Sequence, residues 1–328
     1  MTGGGKGGAD FDPKNKSPQE IKRFCQSFMT ELYRYLHPST DVPAGDIGVG
    51  GREIGYLYGQ YKRLTNRHGE GVLTGKSVNI GGSYIRPEAT GYGLIYIAQL
   101  AIKDMIGKDL KGAICAVSGS GNVSQYACEK LLEFGAKVVT ISDSDGVMYF
   151  ENGMTKDDWD AIVQAKQVDR LRLSQIEDKV SGAYLVGLSP WELQETFDFA
   201  FPCATQNEID EESVKQMVGN GLKGLFEGAN LPTQLEAQEV LKENPQIIYI
   251  PGKAANAGGV GVSGFEMTQN AQKMRWKPEV VDEKLKELMA DIYSQLTDAA
   301  GNDGSLESGA NLAGFSKIVD AMEDLGWL

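Results

Sequence analysis

The sequence predicts an α/β protein built on a doubly wound parallel sheet, with a second and smaller unit beside it. Three observations carry this reading. Between Ala113 and Gly252 short apolar runs alternate with polar helical segments, as in repeated strand–helix crossovers. A glycine-containing turn, Ser118-Gly119-Ser120-Gly121-Asn122-Val123-Ser124, stands between the first of these runs and an amphipathic segment. At 328 residues the chain exceeds one ordinary domain, so a second unit is expected.

After the opening MTGGGKGGADFDPK, Ser17-Pro18-Gln19-Glu20 combines an N-cap serine, a first-turn proline and a capping-box glutamate. Apolar residues at Ile21, Phe24, Phe28, Leu32 and Tyr35 extend that helix to about Leu36. DVPAGDIGVGGREIGYLYGQYKRL is a glycine-rich loop passing into a helix with Ile54, Leu57, Tyr58 and Tyr61 on one side. Residues 65–90 look loop-like. Within them Gly75-Lys76-Ser77 imitates the end of a P-loop, but Glu70 stands where its first glycine is required. A helix follows from Gly91 to about Met105, then a strand from Ala113 to Val117, the Ser118 turn with its helix, a stop at Gly135, and a strand from Lys137 to Ile141. FDFAFPCA, GLKGLFEGA and QIIYIPG continue the strands. Val281, Leu285, Leu288, Met289, Ile292 and Leu296 mark a further helix, and Leu312, Phe315, Ile318, Val319 and Met322 a last one.

The net charge of -13 argues against a nucleic-acid partner, since phosphate neutralisation needs a basic face. No stretch reaches the roughly 20 apolar residues of a membrane span, and no secretion signal is apparent, which points to a cytoplasmic protein. Cys25, Cys115, Cys128 and Cys203 lie far apart, against a zinc ribbon or disulfide framework. With only His37 and His68 available, a multi-histidine metal site is not expected and catalysis must rest on other groups.

The Ser118 turn sits where a dinucleotide fingerprint belongs. Gly119 permits the tight turn, Gly121 lets main chain approach a pyrophosphate, and the free N–H groups of Asn122 and Val123 at the helix start attract its charge. Ser124 replaces the third glycine of the pattern. The second strand ends in Ser142-Asp143-Ser144-Asp145-Gly146. Asp143 suits a ribose hydroxyl and so NAD, whereas Ser144 with Lys166, Arg170 and Arg172 suits a 2′-phosphate; the residues alone leave cofactor choice open. Lys6, between glycines, reads either as part of a flexible end or as a base whose pKa needs lowering. Asp46 reads either as a proton-transfer carboxylate or as a helix N-terminal charge.

GGGKGGADFDP, PAGDIGVGGREIGYLYGQY, VLTGKS with GGSYIRPEATGYG, SGSGNVSQYA, FPCATQNEID, EGANLPT and PGKAANAGGVGVSGFEMTQN resemble, in order and spacing, the hexameric glutamate dehydrogenase family. The resemblance implies reversible oxidative deamination of L-glutamate to 2-oxoglutarate and ammonium by hydride transfer to a nicotinamide, in a homohexamer. It implies that Lys6 activates the attacking water and Asp46 shuttles protons. Thr74, Asn256, Val260 and Ser263 become substrate-side residues, and Thr90, Ser118, Gly119, Gly121, Asn122, Val123, Asp143, Ser144 and Asn230 cofactor-side residues. The SDSDG turn resembles NADP-using members more than NAD-using ones. GGGKGG, rather than GGGKA, favours glutamate over leucine, phenylalanine or valine. The implied organisation is a Rossmann-like domain over residues 89–304 and an incomplete α/β substrate domain over residues 1–88, closed by residues 305–328. In the family a longer stretch with two substrate-binding lysines precedes the GGGKGG loop; the chain starting at Met1 is expected to lack it, which admits a non-catalytic cofactor-binding fragment as an alternative.

Overall fold

A computed structural model describes residues 4–5, 7–67, 71–301 and 304–327. The chain divides into two compact units, residues 1–84 with 263–277 and residues 85–262 with 278–328.

In the first unit Ser17 caps α1 (Pro18–Leu32). Its hydroxyl accepts from the Glu20 amide at 3.3 Å, and the Glu20 carboxylate accepts from the Ser17 amide at 2.8 Å. Ile21, Cys25 and Met29 turn inward, and the last turn tightens into a 3₁₀ segment, Tyr33–Tyr35. Helix α2 (Gly51–Thr65) starts where Glu53 accepts from the Gly50 amide at 3.0 Å, and it ends on Asn66, left-handed at φ 53°. Met29, Leu36, Ile54, Tyr58, Tyr61, Val72 and Leu73 form the core of this unit. A fully buried side chain of that size contributes about 1.5–3 kcal/mol.

The second unit begins with α3 (Ala89–Ile106), apolar and buried on nearly every side, as suits a helix covered by others all round. The parallel sheet starts with β1 (Ile114–Val117), α4 (Asn122–Glu133) and β2 (Lys137–Val138). The single strand expected from Lys137 to Ile141 is divided. Thr140 Oγ1 accepts from the Val117 amide at 2.8 Å and donates to the Val117 carbonyl at 2.9 Å, so a side chain takes the place of a ladder partner. The main chain is then free to turn away as β3 (Thr140–Asp143), which pairs antiparallel with β4 (Gly146–Tyr149). After α5 (Lys156–Val163), β5 (Ala183–Val186) joins β4 to complete a three-stranded sheet.

The parallel sheet resumes with β6 (Phe199–Phe201), α6 (Glu211–Gly219), β7 (Gly224–Phe226), α7 (Leu235–Glu243) and β8 (Ile248–Ile250). Its five strands lie in the order β2-β1-β6-β7-β8, all parallel. The direction of winding reverses between β1 and β6, and a ligand crevice belongs outside the carboxyl ends of those two strands. Phe201 and Phe226 stack in the core with centroids 5.4 Å apart.

Four helices end the chain: α8 (Gly252–Ala255), α9 (Gly258–Gln272), α10 (Pro278–Ala300) and α11 (Leu306–Asp324). The sequence places a boundary at residue 88 and returns residues 305–328 to the first unit; the structure groups α11 with α10 and β8 in the second unit instead. Gly309 explains it, since a Cβ there would stand 2.1 Å from the Leu296 carbonyl oxygen, a main-chain approach only glycine permits. Residues 263–277, within the span expected to be one α/β domain, belong to the first unit. Among the described residues no helix is long and apolar enough to cross a membrane, and no cluster of ligating side chains could hold a metal ion.

Two outcomes follow. Phe201→Ala leaves a cavity in the second unit's core and lowers its unfolding free energy by about 3–5 kcal/mol in urea titration; an unmoved midpoint contradicts the packing described. Asp198 is partly desolvated, which raises its pKa, but bonds from Lys223 and the Ile114 amide outweigh this and hold it below the usual 3.8. A depressed carboxylate stabilises the fold above the unfolded value, so that stability is lost as pH falls below 3.8, and Asp198→Asn flattens this part of the acid unfolding curve.

Candidate functional site

In the second unit the Ser118 turn lies at the reversal point of the sheet. The Ser118 amide donates to the Phe201 carbonyl at 3.2 Å, and Ser118 Oγ accepts from the Cys203 amide at 2.8 Å, joining the exits of β1 and β6. Gly119 is left-handed at φ 79°, and a Cβ there would lie 3.0 Å from both Ala204 Cα and the Cys203 carbonyl oxygen. Gly121 has open space beside it and serves as N-cap of α4, so no side chain caps the helix start at Asn122 and Val123, the kind of end that attracts an anion.

The turn after β3 separates the two nucleotide readings. Asp143 accepts at one oxygen from the Leu173 amide (3.0 Å) and at the other from the Tyr184 hydroxyl (2.7 Å) and the Asp145 amide (3.1 Å). Burial alone would raise its pKa, but these bonds, with Lys166 nearby, hold it below the usual value. Its lone pairs are therefore largely committed within the protein. Ser144 is exposed, and Arg172 Nη1 donates to its hydroxyl at 2.6 Å while pairing with Asp145 at 3.2 Å. Burial, with Arg172 adding to it, pushes the Lys166 ammonium below its ordinary pKa. Serine, arginine and lysine converge at the end of β3, a donor set for a phosphate monoester.

Asn230 and Asn256 meet, with Asn256 Nδ2 2.8 Å from Asn230 Oδ1. Below them Glu227, buried, accepts from the Gly252 amide at 2.7 Å and the Tyr249 hydroxyl at 2.8 Å; burial raises its pKa. Thr90, on the first turn of α3, packs so close to α9 that a Cβ on Gly259 would stand 2.3 Å from its hydroxyl. Val260 is 64% exposed on α9.

In the first unit Thr74 and Ser263, 189 residues apart in sequence, are both buried with hydroxyl oxygens 3.0 Å apart. The Thr74 amide donates to the Pro43 carbonyl at 2.9 Å, which ties it to the loop bearing Asp46. Asp46 is exposed, and its Oδ1 accepts from the Ile47 amide at 2.9 Å. Lys6 lies outside the described residues.

The sequence reading missed the residues that hold these loops. Lys76, rejected above as a P-loop lysine, is buried against Glu266 at 2.7 Å and is not offered to a phosphate. Glu208, half-buried after β6 with its pKa raised by desolvation, accepts from Ala204 (3.0 Å) and Thr205 (3.2 Å) amides and from Trp191 Nε1 (3.0 Å). Their only sequence signal was a charge inside an otherwise apolar or glycine-rich block: Glu227 in LFEGAN, Glu266 in GFEM.

A family model described as Glutamate/Leucine/Phenylalanine/Valine dehydrogenase matches residues 81–326, and one described as Glu/Leu/Phe/Val dehydrogenase, dimerisation domain, matches residues 1–63. The NADP-specific glutamate dehydrogenase of Giardia intestinalis is 51% identical over 99% of this chain and 73% of its own length. That of Escherichia coli K12 is 49% identical over 98% and 71%. The crystal structure of Plasmodium falciparum glutamate dehydrogenase superposes with a TM-score of 0.91 at 46% identity, covering 96% of this chain and 68% of that one. The chain thus spans about seven tenths of the length of these relatives.

Gly119→Ala forces a side chain into a left-handed residue pressed against Ala204. It is expected to weaken binding of a reduced nicotinamide dinucleotide by about tenfold or more, read by fluorescence titration; unchanged affinity places the nucleotide elsewhere.

Proposed function

The chain belongs to the glutamate/leucine/phenylalanine/valine dehydrogenase family, and from that premise we propose that it is an NADP-linked glutamate dehydrogenase. It converts L-glutamate reversibly to 2-oxoglutarate and ammonium, works as a homo-oligomer, hexameric as in the family, and acts in the cytoplasm. The observation that carries the cofactor assignment is the engagement of Asp143 by Leu173 and Tyr184 while Ser144 and Arg172 stand together. A ribose hydroxyl needs a free carboxylate acceptor, whereas a 2′-phosphate needs donors and positive charge. The names of the relatives support the same choice, although one, from Xylanibacter ruminicola, is named NAD(P)-specific.

Bound NADP supplies the hydride acceptor. The chain's own groups do the rest. The α4 N-terminus and the Ser118–Val123 turn hold the pyrophosphate, and Ser144, Lys166 and Arg172 hold the 2′-phosphate. Asn230 and Thr90 are assigned to the nicotinamide side, and Asn256, Val260, Thr74 and Ser263 to the substrate. The Asp46 carboxylate moves a proton to and from the substrate nitrogen, and the Lys6 ammonium, once deprotonated, accepts a proton from the water that attacks the imino carbon. A lysine does this near neutral pH only when desolvation or a neighbouring cation lowers its pKa from about 10.4.

Initial rates with glutamate, leucine and valine, each with NADP and NAD, test this directly. Glutamate with NADP should give the highest kcat/KM, and Asp46→Asn should cut its kcat by about 10²–10⁴-fold. Faster turnover of leucine or valine, or nucleotide binding with no turnover of any amino acid, overturns the proposal. Arg172→Ala should raise the KM for NADP by about tenfold and leave that for NAD unchanged; equal effects on both contradict the 2′-phosphate assignment.

A further inference from the structure

We propose that the buried Lys76–Glu266 ion pair is a positioning device that fixes the Thr74–Ser263 hydroxyl pair, and through it the affinity for the substrate side chain. The inference rests on the assignment of Thr74 and Ser263 to the substrate.

Both side chains are withdrawn from water, at 1% and 0% exposure, with Nζ and Oε1 2.7 Å apart. Each also bonds the same tripeptide. Lys76 Nζ donates to the Leu73 carbonyl, and Glu266 Oε2 accepts from the Gly75 amide at 2.9 Å. The residue between those two anchors is Thr74. Both flanking residues are left-handed, Leu73 at φ 67° and Gly75 at φ 80°. Glycine takes that region freely, but leucine rarely does, and such a conformation persists only where the surroundings over-determine it. An ammonium on one side and a carboxylate on the other supply that determination.

Glu266 also sets which neighbour Thr74 meets. It lies three residues after Ser263 on α9, hence on the same helix face. The carboxylate therefore binds the loop to the same turn of helix that presents Ser263, and the 3.0 Å separation of the two hydroxyl oxygens follows from that tie. Stability alone gives little reason for a charged pair here, because apolar replacements of buried ion pairs often fold as well or better. The geometry of the left-handed loop gives one.

Two double variants of the full chain isolate the effect. Lys76→Met with Glu266→Gln removes both charges but keeps an oxygen for the Gly75 amide. Lys76→Met with Glu266→Leu removes both charges and that oxygen. With charges removed together, neither leaves an unpaired buried ion, and thermal melting verifies that both fold. The Leu variant should show a glutamate KM about tenfold above that of the Gln variant, with kcat changed less than about threefold and the NADP KM unmoved. Amide hydrogen exchange of residues 73–76 without substrate should be about tenfold faster in the Leu variant. If the unsubstituted chain turns over no glutamate, the dehydrogenase assignment fails by itself and the exchange comparison still decides whether the clamp exists. Exchange in both variants no faster than in the unsubstituted chain overturns the proposal. So does faster exchange in an active enzyme whose glutamate KM stays constant.

Discussion

A main-chain N–H group that no ladder or helix engages needs another acceptor, and in this protein glutamates provide it at the loops that carry the candidate groups. Strand ends and left-handed turns leave such amides without ladder or helix partners, and an unmet one costs about 1–3 kcal/mol. Glu266 takes the Gly75 amide beside Thr74. Glu208 takes the Ala204 and Thr205 amides opposite Gly119, and Glu227 takes that of Gly252 beside Asn256. A carboxylate accepts several donors at once, so one side chain can hold a loop that no regular structure could hold. Burial opposes the charge, as the raised pKa values of Glu208 and Glu227 show, and the convergent donors offset that opposition.

The parallel sheet decides what those loops can do. Reversal between β1 and β6 opens the main chain at their carboxyl ends, and Gly119 is pressed there against Ala204, which brings the start of α4 to the crevice. The departure of β3 from the sheet, made possible by Thr140, delivers Asp143 at its end and the two-residue hairpin turn Ser144-Asp145 to the side of that crevice. Tyr184 on β5 then occupies Asp143. The antiparallel sheet is thus the element that makes an apparently NAD-like acid a filled acceptor while the adjacent serine stands beside Arg172.

Local signals were legible in the sequence. The Ser17 capping box, the Ser118 turn, and the runs that became β1, β6, β7 and β8 all sit where their residues suggested. What escaped depends on partners distant in the chain. The division of Lys137 to Ile141 requires Val117 to meet the Thr140 hydroxyl, and nothing in KVVTISD announces that. The NAD-or-NADP question stayed open because Asp143 and Tyr184 are 41 residues apart. Lys76 and Glu266 are 190 residues apart, and nothing in VLTGKS or GFEM announces that the fold buries them together. Leu312, Phe315, Ile318, Val319 and Met322 promised a helix but not its partner, and α11 packs on α10 where Gly309 allows the two backbones to touch.

The chemistry is tested most directly by following the hydrogen itself. With glutamate deuterated at the α-carbon and NADP as oxidant, mass spectrometry of the nucleotide product should find one deuterium in every NADPH formed, because hydride passes from carbon to nicotinamide without exchange. Deuterium released to water, with unlabelled nucleotide or none reduced, would contradict a dehydrogenase mechanism for this chain.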